Sequence, residues 1–264
     1  MTMHAVHHHS SDSDDTSAST PEARIRRVPV TAPLAWLSSG WSTLTYAPGP
    51  SLLYGLVFAG LCFWITSLIM SNPGFTTAFL TGLLLIGPVL ATGLYVAARQ
   101  HAEGKRVSIR DGLALIWDRR DNLSLFLLFL GIVMAAWVRI AALLFAFQVD
   151  AFGPTAYNWR NFLAGGFDPV IVGFFVVIGG ILAVAVFVTS AVAIPMIADR
   201  DVSPITAMVT SYRAVKQNPL PMALWAALIA ALTVLGILSW FIAIVFLFPL
   251  LGYASWYSYR HLVE

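Results

Sequence analysis

Charge is scarce in this chain: Asp, Glu, Lys and Arg make up 11% of its residues, against about a quarter in an ordinary globular domain. Hydrophobic residues make up 58%, so the composition is that of a membrane protein. Cysteine is nearly absent. Cys62 stands alone, which excludes an intrachain disulfide and a cysteine cluster for zinc or iron–sulfur, and it reads most simply as a small buried apolar residue. The apolar runs also lack histidine. His4, His7, His8, His9, His101 and His261 all fall outside them, which excludes a haem–copper core, since that needs several imidazoles at membrane depth. His7, His8 and His9 sit in a polar tail without the fixed frame that metal ligands need. No G-x-S-x-G, H-E-x-x-H or G-x-x-x-x-G-K-[ST] occurs. The expectation is a protein that is not an enzyme and holds no cofactor, metal or nucleic acid. Residues 1–33 have no apolar stretch long enough for a signal peptide.

What is present is a series of apolar runs punctuated by prolines and arginines. Residues 1–33 are too polar to offset the entropy of ordering, and are expected to be a disordered tail. Arg24, Arg26 and Arg27 lie next to the membrane, each able to gain about 1 kcal/mol near anionic headgroups. Residues 34–264 read as a single membrane domain. It begins with Leu34, Leu37, Trp41 and Leu44, one stripe of a short interfacial helix flanked by Trp36 and Tyr46. Pro48-Gly49-Pro50 ends that helix. A span over 51–70 and a return over 75–98 follow, the latter kinked at Pro88.

Residues 99–122 carry Arg99, Lys105, Arg106, Arg110, Arg119 and Arg120. Ser108 and Asp111 form a capping-box pattern. Ile109, Leu113, Ile116 and Trp117 then mark a second interfacial helix. Spans over 123–147 and 168–198 come next, the latter opened by Asp168-Pro169 as cap and first turn and containing Pro195. After Asp199-Arg200-Asp201, Ser203-Pro204 starts a third short helix with Ile205, Met208, Val209, Tyr212 and Val215 on one face. From Asn218-Pro219 the chain is apolar to Tyr257. A single straight helix of that length would measure about 55 Å, nearly twice the hydrocarbon thickness. Two spans are therefore expected, 221–237 and 240–258, with a turn near Gly236–Trp240.

The predicted fold class is an all-α membrane protein with six transmembrane helices. They form three pseudo-repeated hairpins, each preceded by a short amphipathic interfacial helix. Each outgoing arm contains a proline and ends in Arg99, Arg200 or Arg260. With both ends cytoplasmic, Arg160 is the only Lys or Arg in the outer loops, as the positive-inside rule prefers.

The candidate functional residues are few. Arg139 is the one charge within an apolar run. It either pairs with Asp150 or Asp168 across a polar cavity or snorkels to the outer boundary. Asp199, Arg200 and Asp201, with Arg99 and Arg213, form either a cytoplasmic cluster that gates or docks, or helix-end anchors. Pro88, Pro195 and Pro249 are hinges or static kinks. Gly55 with Ala59, Gly87 with Ala91, and Gly179 with Ala183 mark close helix packing.

Ala47-Pro48-Gly49-Pro50-Ser51-Leu52-Leu53-Tyr54-Gly55, Gly87 to Tyr95, Asp199 to Val202, and Asn218-Pro219 with Trp225 to Ile229 carry a likeness over about 33–261. In these the chain resembles an uncharacterised bacterial family of multi-pass integral membrane proteins, some of whose members carry the label of a cytochrome c oxidase subunit. The resemblance implies the bacterial cytoplasmic (inner) membrane and brings no catalytic residues. The functional expectation is a structural or assembly protein of the lipid bilayer, with another membrane protein or a respiratory complex as partner. The alternative is a small-solute transporter or channel built from the repeated, proline-kinked hairpins.

Overall fold

The computed structural model describes residues 23–69, 83, 87, 90–152 and 169–264. Its elements, in chain order, are α1 (Ala32–Tyr46), α2 (Pro48–Ile69), α3 (Thr92–Ala102), α4 (Ile109–Asp118) and α5 (Arg120–Phe152). These are followed by α6 (Pro169–Ser190), α7 (Ala193–Arg200), α8 (Pro204–Gln217), α9 (Pro219–Leu238) and α10 (Ile244–Leu262). No strand occurs among the described residues; there is one isolated antiparallel bridge, Ile25 to Val263.

Local chemistry explains where the short helices begin. Ser108 Oγ accepts from the Asp111 amide at the start of α4, and Ser203 Oγ accepts from the Thr206 amide at the start of α8, each satisfying an orphan donor. Proline opens α2, α6, α8 and α9, where its missing N–H costs nothing. All three predicted short helices are present, as α1, α4 and α8. The final apolar block is two helices, as its length required. They are joined by Ser239–Ala243, where Trp240 and Phe241 adopt φ of 54° and 67°. Such left-handed backbone is unusual for large side chains. Phe241 is buried there with Phe58, Cys62 and Ile244, and Ser239 Oγ accepts from the Ala243 amide at 2.9 Å.

Four helices among the described residues, rather than six, are long and apolar enough to cross a bilayer: Pro48–Ser67, Arg120–Leu144, Gly173–Arg200 and Pro219–Leu238. The expected span over 75–98 falls largely outside the described residues, apart from α3. The expected span over 240–258 is the helix α10, whose second half, Tyr253 to Tyr259, is aromatic and hydroxylic rather than aliphatic. The expected span over 168–198 is interrupted at Ala191–Val192, between α6 and α7. Pro195 has no amide to bond Ala191, so the helix yields just before it. The repeat is also less regular than the three prolines implied. Pro88 and Pro249 each precede their arginine by eleven residues, Pro195 by five.

The tail expected over 1–33 needs correcting from residue 23 onward. Arg26 donates its amide to Leu262 at 2.8 Å, and Glu264 donates its own to Arg24 at 3.0 Å. Val28 donates to Asn218 Oδ1 at 2.9 Å, while Asn218 Nδ2 donates to the Arg26 carbonyl at 3.0 Å. A polar segment can be ordered when its backbone groups find partners, and composition does not reveal partners two hundred residues away.

The bundle is built around α10, which packs against α1, α2, α3, α7 and α9. Two glycines let the α10 backbone approach closely. A Cβ on Gly55 would lie 1.8 Å from the Val245 carbonyl oxygen, and one on Gly40 would lie 3.0 Å from that of Leu250. Three tyrosines of α10 then fix its rotation by reaching three different elements. Tyr253 lies 2.7 Å from Ser51 of α2, Tyr257 3.0 Å from Thr43 of α1, and Tyr259 donates to Asp199 of α7 at 2.8 Å.

Candidate functional site at the charged end of the bundle

The C-terminal ends of α3, α7 and α10 converge, so the arginines that close the three arms meet. Asp199, its side chain only 11% exposed, lies between Arg99 at 3.7 Å and Arg260 at 3.6 Å. Those distances are ion pairs rather than hydrogen bonds. The short bond is the one from Tyr259. Arg200 Nε donates to the same tyrosine hydroxyl at 2.9 Å, and Arg200 Nη1 donates to the Glu264 carbonyl at 2.8 Å. One phenol thus links the carboxylate to its sequence neighbour and ties α7 to α10.

Asp201 serves a different contact. It adopts a left-handed conformation at the end of α7, with φ of 51°, which aspartate tolerates better than most residues. The turn carries its carboxylate away from Asp199 to Arg119 and to Asn122, which donates at 3.0 Å. The triplet Asp199-Arg200-Asp201 therefore joins α7 to α3, α5, α10 and Glu264.

Further polar ties close the same end. Arg26 bonds Glu264 across the paired chain ends, and this hydrogen bond and charge hold the Glu264 carboxyl below its ordinary range. Lys105, by hydrogen bond first, does the same for Glu103. His101 Nδ1 lies 2.8 Å from Thr43 Oγ1, and the His101 ring stacks on Tyr46. Trp36 Nε1 donates to His261 Nδ1 at 3.1 Å. Gln100 joins α3 to α4 by donating to Asp111 Oδ2 at 2.7 Å and accepting the Ser108 amide at 2.9 Å.

Of the residues singled out by sequence, Arg99, Asp199, Arg200 and Asp201 come together here. Arg213 lies on α8 and is half-buried. Arg139 is apart from them, on the exposed face of α5, eight residues before the apolar run ends at Phe147. Its expected partners, Asp168 and the side chain of Asp150, lie outside the described residues, as does Pro88. The break before Pro195 is stapled by α8: the Val192 amide donates to Ser211 Oγ at 3.2 Å, and Ser211 donates to the Val188 carbonyl at 2.8 Å. Pro249 lies inside the continuous α10 and is buried.

Tyr259, Arg260, Arg119, Asn218 and Ser211 make the contacts described above and were not selected by sequence reasoning. Arg260 had a signal, because it closes the third arm as Arg99 and Arg200 close the others. The rest act through contacts distant in sequence. The arrangement holds helix ends together and concentrates cations.

With α3 to α7 placed, one comparison bears on the chain. Residues 76–199 match the family model described as "Predicted integral membrane protein (DUF2189)". The match covers just under half of the chain and ends on Asp199, at the charged end. No curated protein and no solved structure matches. The apolar helices and this family likeness make the chain an integral membrane protein with several membrane-spanning helices.

Proposed function

We propose that the protein is a structural or assembly component of the membrane, without a reaction of its own, resident in the bacterial cytoplasmic membrane as three hairpins of six spans with both ends cytoplasmic. The observation that carries this reading is how little of the longest apolar surfaces the protein covers for itself. The windows within Arg120–Leu144 and Gly173–Arg200 are each only 17% buried, which leaves two long faces free for lipid or another membrane protein. The polar side chains are meanwhile engaged in ties between helix ends. The break at Pro195 is closed by Ser211, which supports a static kink there rather than a hinge. The orientation rests on charge placement: thirteen of the fifteen Lys and Arg residues, all but Arg139 and Arg160, belong to segments that meet at the charged end or lead from it.

The test is mild solubilisation from native membranes followed by mass spectrometry of the intact complex. A stoichiometric membrane partner is the expected result, and a solitary monomer retaining only lipid would overturn it. Reconstituted vesicles that pass small solutes would instead favour the transporter alternative. A cleft of about 130 Å³ between α2, α3, α9 and α10 has a mainly apolar lining that includes Phe58, Ile229 and Phe248, which gives that alternative no support.

A further inference from the structure

α4 and α8 lie across the charged end, because both ends of each are tied to it. α4 starts beside Gln100 of α3 and stops at Arg119, the partner of Asp201. α8 leaves Asp201 and stops at Asn218, which holds the backbone of Arg26 and Val28. Both helices turn several of their largest apolar side chains outward: Leu113 and Trp117 are 59% and 69% exposed, and Ile205 and Tyr212 are 75% and 51% exposed. Inward they present Leu115 in α4 and Met208 and Val215 in α8, partly buried against the core, and the residues they bury fully are small or hydroxylic: Gly112 in α4, and Ala207, Thr210, Ser211 and Ala214 in α8. A helix facing water shows the opposite distribution.

The outward stripes also carry cations in register. Arg110, Leu113 and Trp117 share one face of α4, and Ile205, Val209, Tyr212 and Lys216 share one face of α8, by helical spacing. The Arg120 guanidinium sits 5.1 Å from the Trp117 ring centroid, and Lys216 Nζ sits 5.9 Å from that of Tyr212. Arg120 also faces Asp121 at 3.7 Å, yet its side chain remains 56% exposed. Among the described residues of the segments that form this end, thirteen basic residues face seven acidic ones, an excess of six positive charges.

We propose that these two stripes form a docking surface for anionic phospholipid in the leaflet at the charged end. Leu113, Trp117, Ile205, Val209 and Tyr212 enter the acyl boundary, and Arg110, Arg120 and Lys216 contact headgroup phosphates. Amphipathic aromatic rings settle at this depth, and cations beside them gain from a negative leaflet. This surface is independent of any protein partner at α5 and α6.

The test uses the full chain in nanodiscs of phosphatidylcholine mixed with an equal amount of phosphatidylglycerol, then released into mild detergent, with retained lipids identified by native mass spectrometry. Phosphatidylglycerol should be retained preferentially. The triple variant Arg110→Gln, Arg120→Gln, Lys216→Gln should lose that preference by about fivefold per cation, with an unchanged unfolding temperature. The charge-conserving variant Arg110→Lys, Arg120→Lys, Lys216→Arg should keep it, which separates charge from misfolding. Equal retention of the two lipids, or undiminished preference in the Gln variant, would overturn the proposal. So would full competition by inorganic phosphate, which would mark a site for soluble anions, or a co-purifying polypeptide covering both stripes.

Discussion

α6 and α10 are similar in length, at 22 and 19 residues, and opposite in character. The most apolar stretch within Gly173–Arg200, which lies essentially in α6, has a mean hydropathy of 2.6 and is 17% buried, whereas Ala193 to Ala198 of α7 are buried. α10 is not apolar enough to count among the membrane-length helices, yet Tyr253, Ala254 and Tyr259 in it are fully buried. Apolarity and burial therefore run in opposite directions. In water that inversion would be ruinous. In lipid it is expected, because tails are as apolar as leucine, and helices associate through close backbone packing and hydrogen bonds instead. Gly40, Gly55 and the three tyrosines of α10 are devices of that kind.

The most severe break in this contrast comes from glycine. Gly55 faces the Val245 backbone with no room for a Cβ, whereas a Cβ on Gly180 in α6 would meet nothing within 4 Å. Gly55→Leu should cost about 3 kcal/mol or more, since the backbone contact cannot be relieved by a side-chain rotation. Gly180→Leu should change stability little. Thermal unfolding of the two variants in detergent checks the pair, and equal effects would show that α10 is not the axis of the bundle.

Asp199 comes next. Asp199→Ala would leave Arg99, Arg260 and the Tyr259 hydroxyl without their shared acceptor. Both arginines are partly exposed, at 38% and 56%, so solvent screens them and the loss should be about 2 kcal/mol rather than the full cost of a buried charge. Tyr259→Phe should cost less, about 1 kcal/mol. A double-mutant cycle between Asp199 and Tyr259 in chemical unfolding measures their coupling. Additive effects would mean that the phenol does not link α7 to α10.

These two cases show why some of the fold could be read from the chain and some could not. The short helices were legible because Ser108, Ser203 and the prolines act within a few residues of where they stand. The division after Pro219 followed from length alone. The convergence of the arms was legible in outline, since Arg99, Arg200 and Arg260 each end an apolar stretch. The clasp itself was not, because Tyr259 differs from its aromatic neighbours only in what it faces. Asn218 marked only the start of the last apolar block in the sequence, and its side-chain amide pairs with the backbone of Arg26 and Val28. The number of spans was legible only in part: four membrane-length apolar helices stand among the described residues, most of 75–98 lies outside them, and α10 has sufficient length but lower hydropathy.

Ser211 tests the contrast at the junction of α6 and α7. It supplies a donor and an acceptor to a helix break whose backbone groups would otherwise be buried unpaired. Ser211→Ala should therefore destabilise by about 1–2 kcal/mol and raise hydrogen exchange at Val192. Ser211→Thr retains the hydroxyl and should recover exchange protection. If Ala leaves the Val192 amide as protected as before, the staple is incidental and the Pro195 break is free to act as a hinge.

The smallest effect concerns the paired chain ends and depends on pH. Arg26 lowers the pKa of Glu264 from its ordinary 4.5. A carboxylate whose pKa is depressed on folding contributes stability above the unfolded value, and that contribution disappears as pH falls through the folded one. Protection of the Arg26 and Glu264 amides should thus stay constant above about pH 4.5, after correction for intrinsic exchange, and decline under stronger acid. In Glu264→Gln the decline should vanish, leaving a lower, flat protection from the backbone pairing alone. A decline of the same size in the Gln variant would assign the acid sensitivity to other carboxylates at this end, among them Glu103. The segment 24–28 would then be held by Asn218 and the backbone, with the Arg26 ion pair contributing nothing measurable.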